Sequence, residues 1–195
     1  MNTETLIEYL NMYGYMIIFF FLFFGIVGIP APEESLLFLI GVLIAHHSLG
    51  FIPAGLSAFF GALSGMLSAY VVGKYIGSPF IDKYGKYVGI TEERWMKVKN
   101  KYMKNVRKTI IFGFYMPGIR QMSPYFAGVN KIPFFGFLLF SFLGTVLWIF
   151  PFIVAGYYTA STFNINPKYV PYLGLALLLI FLLSVFVNVL KKRKT

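Results

Sequence analysis

Four long apolar runs and two short, interrupted ones organise this chain. Residues 6–27, 51–77, 133–159 and 169–190 are each apolar enough to cross a bilayer as a helix, which takes about 20 residues. Residues 34–46, "ESLLFLIGVLIAH", are as apolar but too short to cross. Residues 109–130, "TIIFGFYMPGIRQMSPYFAGVN", are broken by Pro117, Gly118, Arg120 and Pro124. Short or broken apolar segments of this kind predict re-entrant hairpins, here at about 30–46 and 109–130. The pattern therefore predicts an all-α membrane protein with about four spanning helices. No soluble domain is left over, so residues 1–195 read as one membrane domain.

The two broken segments echo each other. The first reads Pro30-x-x-Glu33 with Gly41 eight residues on, and the second reads Pro117-x-x-Arg120 with Gly128 eight residues on. All three matches share an offset of 87. The following spans repeat too, "YVVGKYIG" (70–77) against "IVAGYYTA" (153–160), at an offset of 83. An inverted repeat leaves such traces, and folds of that type hold substrates near the midplane on interrupted helices. The expected architecture is thus an inverted repeat with two opposed hairpins.

Composition agrees with a membrane chain: 58% hydrophobic, 20% aromatic and 12% charged residues, with no Cys. Thiolate metal sites and disulfides are excluded. "MNTETLIEYL" has no basic stretch and no cleavage site, so no signal peptide is expected. The net charge of +10 is concentrated. Residues 82–108 hold nine Lys/Arg against three acids, and the tail 191–195, "KKRKT", is basic as well. Basic segments beside spans lie on the cytoplasmic side. Placing 82–108 and the tail there puts the N-terminus inside as well, although Glu4 and Glu8 give that no support. The 82–108 segment reads as a cytoplasmic loop or an interfacial helix on anionic lipid, with Trp95 and Tyr102 as anchors. Anionic lipid is a nearer partner than nucleic acid, which is not expected.

Glu33 and Glu34 lead the candidate chemistry. A carboxylate at bilayer depth costs about 2.5–3.5 kcal/mol on insertion scales, so it faces a partner or a cavity. Pro32 suits the start of a new helix, whose dipole favours acids in its first turn. The pair is either a helix start near the interface or a carboxylate that titrates or binds a cation. Arg120 is the second candidate. Its guanidinium stays charged and its planar fork suits phosphate. The helix breakers around it would free backbone N–H groups to join it around an anion, with Gln121 and Ser123 beside it. Otherwise it snorkels to the interface or pairs with Glu33 or Glu34. Pro30, Pro32, Pro117, Gly118 and Pro124 are the expected hairpin breakers.

Ser57, Gly61, Gly65, Ala69, Gly73 and Gly77 recur every four residues and give one helix face for close packing. His46 and His47 read as loop histidines without metal-spaced partners. "ALSG" (62–65) offers too little for an intramembrane serine protease, and no His lies in a later span. No enzyme, cofactor or metal site is expected.

Together "GIPAPEESLLFLIG", "GALSGMLSAYVVGKYIG", "FGFYMPGIRQMSPYFAG", "FLGTVLW" and "AGYY" resemble the DedA family, also called SNARE-associated or VTT-domain proteins. The resemblance covers roughly residues 15–160, and the order and spacing of the blocks carry it. It implies two opposed re-entrant hairpins and a role in moving lipids such as undecaprenyl phosphate or phosphatidylethanolamine, in some members with the proton gradient. The family carboxylate falls on Glu34, with Glu33 where Gly is usual, and the family's second arginine falls on Arg120. Three departures stand out. Leu22 to Gly25 hold no acid, Phe114 replaces the first arginine, and Met66 replaces an Asp. A phosphomonoester lipid would suffer most from a lost arginine. A zwitterionic phospholipid needs one cation for its phosphodiester and an acid for its amine, which Arg120 with Glu34 or Glu33 would supply. The resemblance thus implies a lipid translocase whose partners are phosphate-bearing membrane lipids, with phosphatidylethanolamine preferred and undecaprenyl phosphate as the alternative. A non-transporting membrane scaffold is the alternative of another class. An oligomer is compatible with all of these.

Overall fold

A computed structural model describes residues 3–29, 31–77, 100, 104–116 and 119–163, with side chains from Tyr13 onward. The span expected at 169–190, the basic tail and nearly all of the basic segment lie outside the described residues, as do Pro30, Pro117 and Gly118. No strand occurs among the described residues. The elements are α1 (Thr3–Val27), α2 (Glu33–Ala45) and α3 (Phe51–Val72), which ends in a π-helical turn (Gly73–Gly77). Next come α4 (Val106–Phe112), a 3-10 turn (Gly113–Tyr115), α5 (Ile119–Val129) and α6 (Phe134–Phe163).

Among the described residues, two stretches are long and apolar enough to cross a membrane, Phe51–Gly77 and Phe134–Phe163. α6 turns Phe135, Leu139, Phe142, Leu147 and Phe150 outward. A row of large apolar side chains is what a lipid-facing helix presents and what a water-facing one avoids. The chain belongs in a membrane, as its composition requires.

The broken segments form short helices. α2 has 13 residues and starts after Pro32 at its N-cap. Its end is fixed by His47 at φ 56°, with Ser48 N–H bonded to the Leu43 carbonyl and His47 N–H to that of Ile44. α5 has 11 residues and ends the same way, on Lys131 at φ 52°, with Ile132 N–H bonded to Ala127 and Lys131 N–H to Gly128. Both are Schellman caps, which reverse the chain within a few residues. One expected breaker does not act as one. Pro124 lies inside α5, in mid-helix. Its missing N–H removes a bond from Arg120 but does not end the helix.

By packing, the chain divides into two compact units. One comprises residues 1–15, 30–55 and 150–195, and the other 16–29 and 56–149. In the first, α2 lies on the second half of α6. A Cβ on Gly41 would strike the Ile153 carbonyl, and one on Gly156 would strike the Phe38 carbonyl. In the second, α5 lies on the end of α3. A Cβ on Gly73 would strike the Tyr125 carbonyl, and one on Gly128 would strike the Tyr70 carbonyl. Backbones meet only where both partners lack side chains. The earlier rungs of the four-residue ladder, Gly61 and Gly65, press instead on Phe19 and Phe23 of α1. The ladder thus serves two neighbours, α1 first and α5 second.

Candidate functional site: a buried arginine on an indole face

Arg120 is only 4% exposed and sits in the first turn of α5. That position is electrostatically adverse, because a helix N-terminus carries partial positive charge. Two features offset it. The guanidinium carbon lies 4.8 Å from the centroid of the Trp148 ring, a cation–π arrangement that contributes about 2 kcal/mol when desolvated. Its Nη1 also donates to the Phe114 carbonyl at 3.1 Å.

Phe114 forms the rest of this floor. It ends the apolar run "IIFGF" in the 3-10 turn, is fully buried, and stacks on Trp148 at 5.4 Å and 28°. Gly144 on α6 makes room, since a Cβ there would come within 2.8 Å of the Phe114 ring. The position where the family resemblance anticipates the first of two arginines is therefore an aromatic wedge.

α5 and the 3-10 turn are held by repairs to interrupted helices. Gln121 Nε2 donates to the Gly25 carbonyl at 3.1 Å, and the Tyr125 hydroxyl donates to that of Val27. Both acceptors are last-turn carbonyls of α1, which have no intrahelical donor. Gln121 therefore uses an amide N–H to anchor α5 to the end of α1. On α6, Pro151 lacks the N–H that would meet the Leu147 carbonyl, and the Tyr115 hydroxyl donates there instead. Ser123 is buried beside Arg120 on α5.

The carboxylates belong to the first unit. Glu33 opens α2 and is fully buried, while Glu34 is half-buried. The resemblance weights Glu34, but burial singles out Glu33. His46 and His47 form the cap of α2, with His47 exposed.

Reading for charges and breakers passed over three residues. Ser141, Thr145 and Trp148 are spaced i, i+4 and i+7 on α6 and are fully buried. The available signal was two hydroxyls and an indole on one face of a phenylalanine-rich span.

A family model described as the VTT domain matches residues 29–158. Among curated proteins, the chain is 41% identical to uncharacterized membrane protein YbfM of Bacillus subtilis over 74% of this chain and 89% of that protein. It is 28% identical to undecaprenyl phosphate transporter A of the same organism over 68% of this chain and 67% of that protein. It is 26% identical to an alkaline phosphatase-like protein of Lactococcus lactis over 97% and 92%. No solved structure matches the chain.

Proposed function

Since this chain belongs to the VTT-domain family, known also as DedA, we propose that it is a lipid translocase of the bacterial cytoplasmic membrane that holds a head-group phosphate on Arg120. The observation that carries this reading is a guanidinium buried at the positive end of a short helix, stacked on an indole. An anion arriving there would meet both the guanidinium and the helix N-terminus. No bond is made or broken in this role, so the protein is proposed as a transporter and not as an enzyme. Glu33 and Glu34 are the candidates for taking the amine of a zwitterionic head group or a coupled proton. The basic segment at 82–108 and the basic tail are assigned to the cytoplasmic side by charge.

The inverted-repeat arrangement of two re-entrant hairpins is part of the proposal. Supporting it are the two glycine contacts, which are exchanges of each other. Gly41 and Gly128 are repeat mates, as are Gly73 and Gly156, and each short helix packs on the span of the other repeat.

The charge count favours a phosphodiester. With Phe114 in place of a second arginine, one guanidinium faces the phosphate, which suits a singly charged phospholipid such as phosphatidylethanolamine. A second reading, undecaprenyl phosphate, is favoured by the names of two relatives, from Bacillus subtilis and Staphylococcus aureus. Reconstituted protein assayed with labelled phosphatidylethanolamine, phosphatidylglycerol and a polyprenyl phosphate separates them. The proposal expects movement above the empty-vesicle rate for at least one of these and its loss in Arg120→Gln. No movement of any of them overturns it.

A further inference from the structure

Beneath Arg120, α6 carries a second set of polar groups that the fold does not use. Ser141 Oγ, Thr145 Oγ1 and Trp148 Nε1 are fully buried and make no hydrogen bond among the described residues. Hydroxyls inside helices ordinarily bond back to the carbonyl one turn earlier, and a buried indole N–H ordinarily finds an acceptor. Three such groups on one helix face form a line, since residues four and seven apart stack along one side. The line ends at the ring on which Arg120 rests. Its neighbours Gly144 and Phe137 face the same interior, against Phe114 and the ring of Tyr70.

Burying an unbonded polar group is destabilising, and a chain that keeps three in register tolerates that cost for a reason other than folding. From this we infer that Trp148 and Thr145, with Ser141 beyond them, are head-group ligands: neutral donors that bond the phosphate oxygens left over by Arg120. The inference rests on the lipid-translocase reading and deepens it. Uncharged donors complete the coordination of a phosphodiester without adding a second cation. This explains how a site with Phe114 in place of an arginine still holds a phosphate. Because Phe114 covers Trp148 and presses on Gly144, the 3-10 turn must withdraw from α6 for the phosphate to reach these donors. Trp148 then has two jobs, its face for Arg120 and its edge for the ligand.

Two near-isosteric variants separate the donors from the packing. Trp148→Phe keeps an aromatic face under Arg120 and removes the N–H. Thr145→Val keeps the shape and removes the hydroxyl. Each is assayed in proteoliposomes with labelled phosphatidylethanolamine and phosphatidylglycerol, beside wild type and Arg120→Gln, with thermal unfolding in detergent as a second readout. Transport is expected to fall about fivefold in each variant, the worth of one neutral hydrogen bond. The thermal midpoint of Thr145→Val is expected to hold or rise, because a methyl replaces an unbonded hydroxyl. Wild-type rates in both variants, with Arg120→Gln inactive, overturn the donor assignment and leave the translocase reading standing. A fall in transport with a lowered midpoint in Thr145→Val makes the hydroxyl structural and also overturns it. If wild type moves neither lipid, the phospholipid reading and this inference fail together.

Discussion

α2 and α5 are built alike. Each is under four turns long, each carries charge in its first turn, and each ends in a Schellman cap on a non-glycine residue. Both lie against a longer helix so closely that glycine is needed on both sides. They differ in sign. Glu33 at the start of α2 agrees with the helix dipole, whereas Arg120 at the start of α5 opposes it. The helix favours the first; beside the second lie the Trp148 ring and the Phe114 carbonyl. A shared scaffold with opposite charges separates the two questions. Packing sets where the first turn sits, and the residue in it sets what it can bind.

The largest expected effects test the shared scaffold. Gly128→Val and Gly156→Val each push a side chain into a facing backbone, which cannot yield as a side-chain tip can. Each should lose about 3 kcal/mol of stability, the upper range for overpacking, measured by thermal unfolding in detergent or by the folded fraction on size exclusion. Similar losses at both sites sustain the comparison, and tolerance at only one of them breaks it.

A smaller effect sharpens the difference between the units. Tyr115→Phe leaves the Leu147 carbonyl without a donor, because Pro151 has no N–H to offer. The loss should be about 1–2 kcal/mol. Pro151→Ala supplies an N–H to the same carbonyl, so the double variant should recover most of it. Failure of that rescue in a double-mutant cycle would mean the tyrosine acts elsewhere. Smallest is Gln121→Leu, which leaves the Gly25 carbonyl at the end of α1 unbonded. About 1 kcal/mol is expected there, visible as faster hydrogen exchange at the end of α1. Lipid transport per folded molecule should stay near wild type, because the Gln121 Nε2 is already engaged by the Gly25 carbonyl.

Much of the helical plan was legible. The expected span 51–77 is α3 with its π turn, 133–159 is the greater part of α6, and the short run 34–46 is α2, each to within a few residues. Apolar length and turn residues suffice for that, because lipid admits so few backbone forms. The four-residue glycine ladder was legible as packing, but not its division between α1 and α5, which depends on where α1 ends at Gly28, φ 143°. Gln121 stands out in the sequence as a neighbour of Arg120; the bond from its Nε2 to the Gly25 carbonyl joins residues 96 apart, which no local pattern reveals. Pro124 was read as a breaker, but α5 accommodates it. Trp148 was hidden for a different reason. In a span this rich in Phe and Leu, an indole reads as bulk, and only the position of Arg120 over its face gives it a role.

The most direct measurement compares Arg120→Gln with Glu33→Gln in proteoliposomes, following labelled phosphatidylethanolamine at two pH values. Removing a charged hydrogen-bond donor from the phosphate should slow transport about 10- to 100-fold in Arg120→Gln at both pH values. Glu33→Gln, which leaves Arg120 in place, should keep more of the movement than Arg120→Gln does. Equal transport by Arg120→Gln and wild type, at either pH, would contradict the assignment of the phosphate to Arg120.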